Sequence, residues 1–166
     1  EIGGGYGRFA DLLLALHPRA RIVMVDIPPA LAVSQHYLTQ RHPSRSVWRF
    51  RRGAGSGDAA AIADHDLAFL TPNQFASLRP IGADLAVNIS SLHEMRPDQI
   101  AEYLRLVGLH AAGGWLYTKQ WRRWHNPVDD VTIERAGYPY PPGSKRCFDR
   151  LAPAQPLFFE ALLKLS

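Results

Sequence analysis

The feature that most restricts what this chain can fold into is its opening heptapeptide, Glu1-Ile-Gly-Gly-Gly-Tyr-Gly7. An acidic residue is followed by glycines at every second position, Gly3, Gly5 and Gly7. This spacing describes a strand running into a turn whose backbone passes very close to a ligand, because only glycine lacks the Cβ that would block the approach. The next constraint is Arg21-Ile-Val-Met-Val25, which after its arginine is a continuous apolar run of strand length, as expected of a parallel strand covered on both faces. Asp26 ends that run, where its carboxylate can take two hydroxyls of a ribose. Glycine bend and acid together predict an α/β fold that holds a nucleoside cofactor.

Spacing narrows the choice of cofactor. A dinucleotide fingerprint started at Gly3 needs a small residue at position 8, where helix and strand pack closely, and that position is Arg8. The pattern E-x-G-x-G-x-G with Asp26 instead resembles motif I and the following acid of class I methyltransferases that use S-adenosylmethionine. Val25-Asp26-Ile27-Pro28-Pro29 and Asn88-Ile-Ser-Ser-Leu-His-Glu-Met95 extend the likeness to a family of sugar O-methyltransferases, whose members carry E-I-G-G-G-Y-G, a D-x-P-P turn and N-x-x-S-x-x-E-M in this order. The resemblance implies a Rossmann-like sheet, mostly parallel with a terminal antiparallel hairpin. It also implies S-adenosylmethionine as cofactor, held by Glu1, Gly3, Gly5, Gly7, Asp26, Ile27 and Asn88. Ile27 fits an adenine face and a core position equally well. The likeness departs at the third strand, where no G-D-x motif appears; Asp66 and Asn73 are the substitutes nearby.

The remaining elements follow from periodicity and punctuation. Phe9, Leu12, Leu13 and Leu16 predict one apolar stripe of a helix that ends before Pro18, and Pro28-Pro29 lead into a helix over 30–40. Val47 to Arg51 is a possible strand, and Gly53 to Gly57 reads as a loop. Leu67 to Leu70 predicts a strand, and Thr71-Pro-Asn-Gln74 has capping-box spacing for a short helix carrying Phe75 and Leu78 to the core. Asp84 to Asn88 reads as the central strand. Pro97 starts a helix with Ile100, Tyr103, Leu104 and Val107 inward, and Trp115 to Thr118 is the next strand. From Lys119 to Gly143 the expectation is a loop whose Trp121, Trp124, His125, Tyr138 and Tyr140 either stack on sugar rings or turn inward. The segments around Cys147-Phe148 and Leu157 to Leu163 supply the terminal hairpin by analogy, although Phe159 to Leu165 also has helical spacing.

Length and composition bound the answer. At 166 residues and 46% hydrophobic the chain is long enough for one globular domain over 1–166, and no apolar run reaches the roughly 18 residues of a spanning helix. One cysteine excludes an internal disulfide and fits a reducing, cytoplasmic setting. No signal peptide is visible, and the opening without methionine inside an expected strand suggests an N-terminally truncated domain. The formal charge of +4 rests on arginine, clustered at Arg41, Arg45, Arg49, Arg51 and Arg52 and paired at Arg122 and Arg123. A solvated basic face is the plain reading; an anionic sugar, a nucleotide-sugar or nucleic acid are the sharper ones, with nucleic acid disfavoured because Trp48 and Phe50 alone do not make a stacking platform.

Methyl transfer to a hydroxyl needs alignment and removal of a proton. His93, at the end of the central strand, is the first candidate for general base; Glu94 matches the family motif, and His125 is the second histidine candidate. Asp64-His-Asp66 and His93-Glu94 contain possible ligands but no spacing of a dedicated metal site, so no metal is expected. The alternatives to a sugar O-methyltransferase are a methyltransferase acting on RNA or another acceptor, and a non-catalytic module that binds a nucleoside.

Overall fold

The computed structural model describes residues 1–49 and 59–166, which form two compact units, Glu1–Ile81 and Gly82–Ser166. The expected loop at Gly53 to Gly57, with Arg51 and Arg52, lies outside the described residues. Among the described residues no helix is long and apolar enough to cross a membrane.

The first unit runs α1 (Arg8–Leu16), β1 (Ile22–Val25), α2 (Pro28–Arg41), β2 (Val47–Trp48), α3 (Ala59–Ala63), β3 (Leu67–Leu70) and α4 (Pro72–Ser77). Its sheet is parallel, in the order β1-β3-β2, with Ile22 and Val47 both opposite Leu67. The segment before the glycine bend joins it by a single parallel bridge from Ile2 to Val25. All four β3 residues are buried, as the apolar run predicts for a strand covered on both faces. Ala10 and Leu14 of α1 pack with Ile22, Met24, Leu31, Leu38, Leu67 and Phe69. That corrects the expected stripe, since Leu12 and Leu16 are exposed. Leucines at 12, 13, 14 and 16 satisfy helical spacing in more than one phase, and the small Ala10 sets the phase by allowing close packing. Helix α2 begins two residues earlier than expected, because Pro28 and Pro29 occupy the positions where a missing N–H forfeits no bond. The capping box of α4 is present: Gln74 N donates to Thr71 Oγ1 at 3.4 Å and Thr71 N donates to Gln74 Oε1 at 2.9 Å.

The second unit contains β4 (Leu85–Ile89), a 3-10 turn (Leu92–Glu94), α5 (Pro97–His110), β5 (Trp115–Trp121), β6 (Arg123–Asn126), β7 (Val131–Glu134), β8 (Lys145–Ala152) and β9 (Gln155–Lys164). Strand β5 is parallel to β4 and antiparallel to β9, and β8 closes the order β4-β5-β9-β8. Phe159, Ala161 and Leu163 are buried at a period of two, so the end of the chain is a strand, not a helix. A Cβ at Gly114 would stand 2.6 Å from Ala83 O and 2.8 Å from Asp84 O, so this turn into β5 accepts only glycine. Helix α5 buries Ile100, Leu104 and Val107 as expected.

The segment 119–143 differs most from expectation. Strand β5 continues to Trp121, and β6 and β7 form an antiparallel hairpin with Trp124 opposite Ile133. Its alternating positions are polar or aromatic rather than aliphatic, which hides a strand from a hydrophobic count. Tyr138 and Tyr140 stack on each other at 6.2 Å, and Tyr138 lies 5.4 Å from Phe159. Both hydroxyls are buried, and burial raises both phenol pKa values, so these rings brace the core rather than offer a sugar platform.

Candidate active site

The first unit builds a cradle at the carboxyl end of β1. Gly3, Gly5 and Gly7 all adopt left-handed backbone, with φ of 67°, 55° and 94°. Gly3 N donates to Val25 O at 2.8 Å, which ties the bend to the strand, and Gly7 then opens α1 with no side-chain cap on the helix N–H groups. The Asp26 carboxylate faces this bend. Its Oδ2 accepts from Gly5 N at 2.9 Å and its Oδ1 from Ile27 N at 2.7 Å. Each oxygen keeps a further lone pair, the arrangement that meets a vicinal diol.

Three observations around the bend fit a nucleoside. A Cβ at Gly5 would meet nothing within 4 Å, so the backbone there borders open space. Ile27, beside Asp26, is 58% exposed and offers an apolar face. Glu1 Oε2 is buried without a hydrogen-bond partner among the described residues, and its carboxyl pKa is raised, first by burial and then by the neighbouring Asp26 carboxylate. A donor from a bound molecule would satisfy that oxygen. Gly4 is a packing position: a Cβ there would collide with the Met24 methyl and stand 3.0 Å from Glu1 Cδ.

The second unit builds a polar cluster at the carboxyl end of β4. Asn88 is 1% exposed; its Nδ2 donates to Ser91 Oγ at 2.8 Å, and its Oδ1 accepts from Leu92 N at 3.3 Å and from Gln120 Nε2. The expected cofactor ligand Asn88 is therefore spent on shaping the turn, in which Ser90 takes a left-handed φ of 59°. Gln120, fully buried on β5, also donates from Nε2 to Thr118 Oγ1 at 3.0 Å, which leaves Oε1 to accept from His93 Nδ1 at 2.9 Å. A carboxamide oxygen only accepts, so this contact places a hydrogen on His93 Nδ1, and the tautomer it favours presents its lone pair at Nε2.

His93 is 1% exposed, with the Trp124 ring at 5.3 Å edge-on and Glu94 Oε1 4.0 Å from Nε2. The Glu94 side chain is 65% exposed. Asn126 Nδ2 donates to Glu94 O at 3.2 Å and fastens the β6–β7 hairpin to this turn. His125 alternates with Trp124 and Asn126 onto the other face of β6, where its Nδ1 is 3.3 Å from Thr132 Oγ1 and its Nε2 3.7 Å from Asp130. The structure thus brings His93 and Glu94 together and leaves His125 apart. Gln120 and Asn126 went unread in the sequence, where a glutamine at an inward position of β5 was the one available signal, and Trp124, read there as stacking on a sugar or turning inward, lies against His93.

Asp66 precedes β3 and accepts from Ser46 N and Oγ, each at 2.9 Å, with Arg45 at 3.3 Å. Its pKa is lowered, first by the Ser46 backbone bond, so it is a structural clamp and not a substitute adenine ligand. Asn73 is exposed on α4, past the carboxyl end of β3. Among the described residues no group of three or more potential ligands could hold a metal ion.

No family model matches the chain, and no curated protein matches it in sequence. Solved structures do match in fold. A protein of Pyrococcus horikoshii OT3 superposes with a TM-score of 0.67 at 10% identity, over 99% of this chain and 80% of that one. Mitomycin 7-O-methyltransferase gives 0.62 at 18%, over 99% and 48%, and LepI in complex with S-adenosylhomocysteine and a substrate analogue gives 0.60 at 16%, over 99% and 42%. The fold is that of class I methyltransferases. The chain spans less than half the length of the last two proteins.

Proposed function

We propose that this chain is an S-adenosylmethionine-dependent O-methyltransferase domain acting on a sugar hydroxyl, free or in a nucleotide-sugar or glycan. The observation that carries the reading is the Asp26 carboxylate, held at 2.9 Å from Gly5 N with one acceptor position left on each oxygen. Solved relatives in fold that carry methyltransferase names or bind the demethylated cofactor add support. Asp26 would take the ribose diol, Ile27 the adenine face, and the glycine bend with the start of α1 the carboxylate of the methionyl part. When bound, the cofactor supplies an electrophilic methyl group on a sulfonium.

The chain's own residues supply the proton chemistry. His93 accepts the hydroxyl proton at Nε2, because Gln120 fixes the hydrogen on Nδ1. Glu94, with Oε1 4.0 Å from Nε2, stabilises the imidazolium that forms. The sugar acceptor rests on the resemblance of Asn88 to Met95 and of the opening heptapeptide to sugar O-methyltransferases. Asn88 enters as a positioning residue.

Calorimetry with S-adenosylhomocysteine and with NAD tests the assignment. The homocysteine compound should bind in preference. Asp26→Ala should weaken it more than tenfold, since a hydrogen bond to a charged group contributes about 1.5–3 kcal/mol. Preference for NAD, or an affinity indifferent to Asp26→Ala, would overturn the reading. Binding without turnover on any hydroxylated acceptor would leave a nucleoside-binding module in its place.

A further inference from the structure

The second unit contains a cavity that the proposed reaction does not use. It has a volume of about 580 Å3 and is lined by Arg122, Arg123, Glu134, Arg135, Arg146 and Asp149, with Ala136 and Leu151. Its size falls in the range of small-molecule sites, about 300–1,000 Å3. Arg123 and Glu134 are cross-strand partners in the hairpin, on the face that carries His125 and away from Trp124 and His93.

The charges are unevenly matched. Four guanidinium groups meet two carboxylates, an excess of two positive charges. Asp149 serves two of the arginines: Arg135 Nε donates to its Oδ1 at 2.7 Å, and Arg146 Nη1 lies 3.4 Å from its Oδ2. Arg135 also donates from Nη2 to Asp149 O at 2.6 Å and lies over the Phe159 ring at 5.7 Å; Arg146 lies over Tyr140 at 5.7 Å. These contacts fix two cations without neutralising them singly. Arg123 is 3.3 Å from Glu134 with its side chain 72% exposed, and Arg122 has no side-chain partner among the described residues.

We propose that this cavity binds a phosphate monoester or diphosphate group of a small molecule. Planar guanidinium forks match phosphate oxygens in pairs, and an excess of two charges suits a dianion better than a single carboxylate. The cavity is open, but its arginines converge on one place rather than forming a basic stripe interleaved with stacking rings, which favours a small ligand over a nucleic acid strand. The inference concerns an anion site and stands apart from methyl transfer.

The test is calorimetry on the 166-residue chain with pyrophosphate and with a nucleotide-sugar, in the absence of other cofactors. Both should bind. Arg122→Ala should weaken both at least tenfold, and Arg122→Lys should lose an intermediate factor, because it keeps the charge and gives up the fork. Arg79→Ala, an equal change of charge in the other unit, should leave both unchanged. Arg122 is exposed and has no side-chain partner among the described residues, so its removal should not move the melting temperature, and a thermal melt of each variant excludes misfolding. Binding that is undetectable at millimolar pyrophosphate, equal in Arg122→Ala and the parent, or confined to oligonucleotides would overturn the proposal. If pyrophosphate binds through Arg122 and S-adenosylhomocysteine does not bind, the anion site survives and the methyltransferase reading falls.

Discussion

Gly5→Ala separates a ligand cradle from an ordinary turn. Gly5 has a φ of 55°, and a Cβ built on it touches nothing within 4 Å. The cost to the free protein is thus the backbone alone, about 1–2 kcal/mol for an L residue in left-handed conformation. For a chain of this size each kcal/mol lowers the melting temperature by roughly 2–4 °C, so a fall of about 2–8 °C is expected. Gly82 is the matched control, with a φ of 63° and equally empty surroundings, in the connection from α4 to β4. Gly82→Ala should lose the same stability. The two variants should part company in calorimetry with S-adenosylhomocysteine. The new methyl of Gly5→Ala stands beside the amide that bonds Asp26, where the ligand is proposed to lie, and should cost a further tenfold or more in affinity, about 1.4 kcal/mol. Gly82→Ala should bind as the parent does. If Gly5→Ala melts as predicted yet binds within twofold of the parent, the open space beside Gly5 is not where the ligand sits.

Three further outcomes follow from the clamps. Gln120→Leu removes the acceptor on His93 Nδ1 and the donor to Asn88, so it should lower kcat about tenfold or more, with KM little changed, as loss of an oriented general base requires. Nitrogen NMR of the parent should show His93 protonated at Nδ1; hydrogen on Nε2 would refute the tautomer argument. Asp66 has a folded pKa below its ordinary value of 3.8, so its stabilisation is complete above 3.8 and disappears as pH falls through the folded value. Asp66→Asn should therefore melt lower than the parent at pH 7, and the gap in thermal melts should narrow below pH 4; a gap constant with pH would refute the clamp.

Much of the first unit was legible because its constraints are local. The alternate glycines, the apolar run into Asp26, the buried tetrad Leu67 to Leu70 and the capping box at Thr71 each state a backbone requirement within a few residues. The direction of the Asp26 side chain toward Gly5 followed from the same logic. The sequence could not choose the buried phase of α1, since adjacent leucines satisfy several, and packing of Ala10 against the sheet decided it.

The second unit shows the opposite case. That Asn88 is a structural residue, that Gln120 orients His93, and that Trp124 rather than His125 shares the inner face all depend on register between strands far apart in sequence. Hydrogen-bond partners 27 and 32 residues apart leave no periodic trace, because a polar side chain is satisfied by geometry and not by spacing. The residues that can carry chemistry were readable from the chain, whereas which of them meet was settled by tertiary contacts.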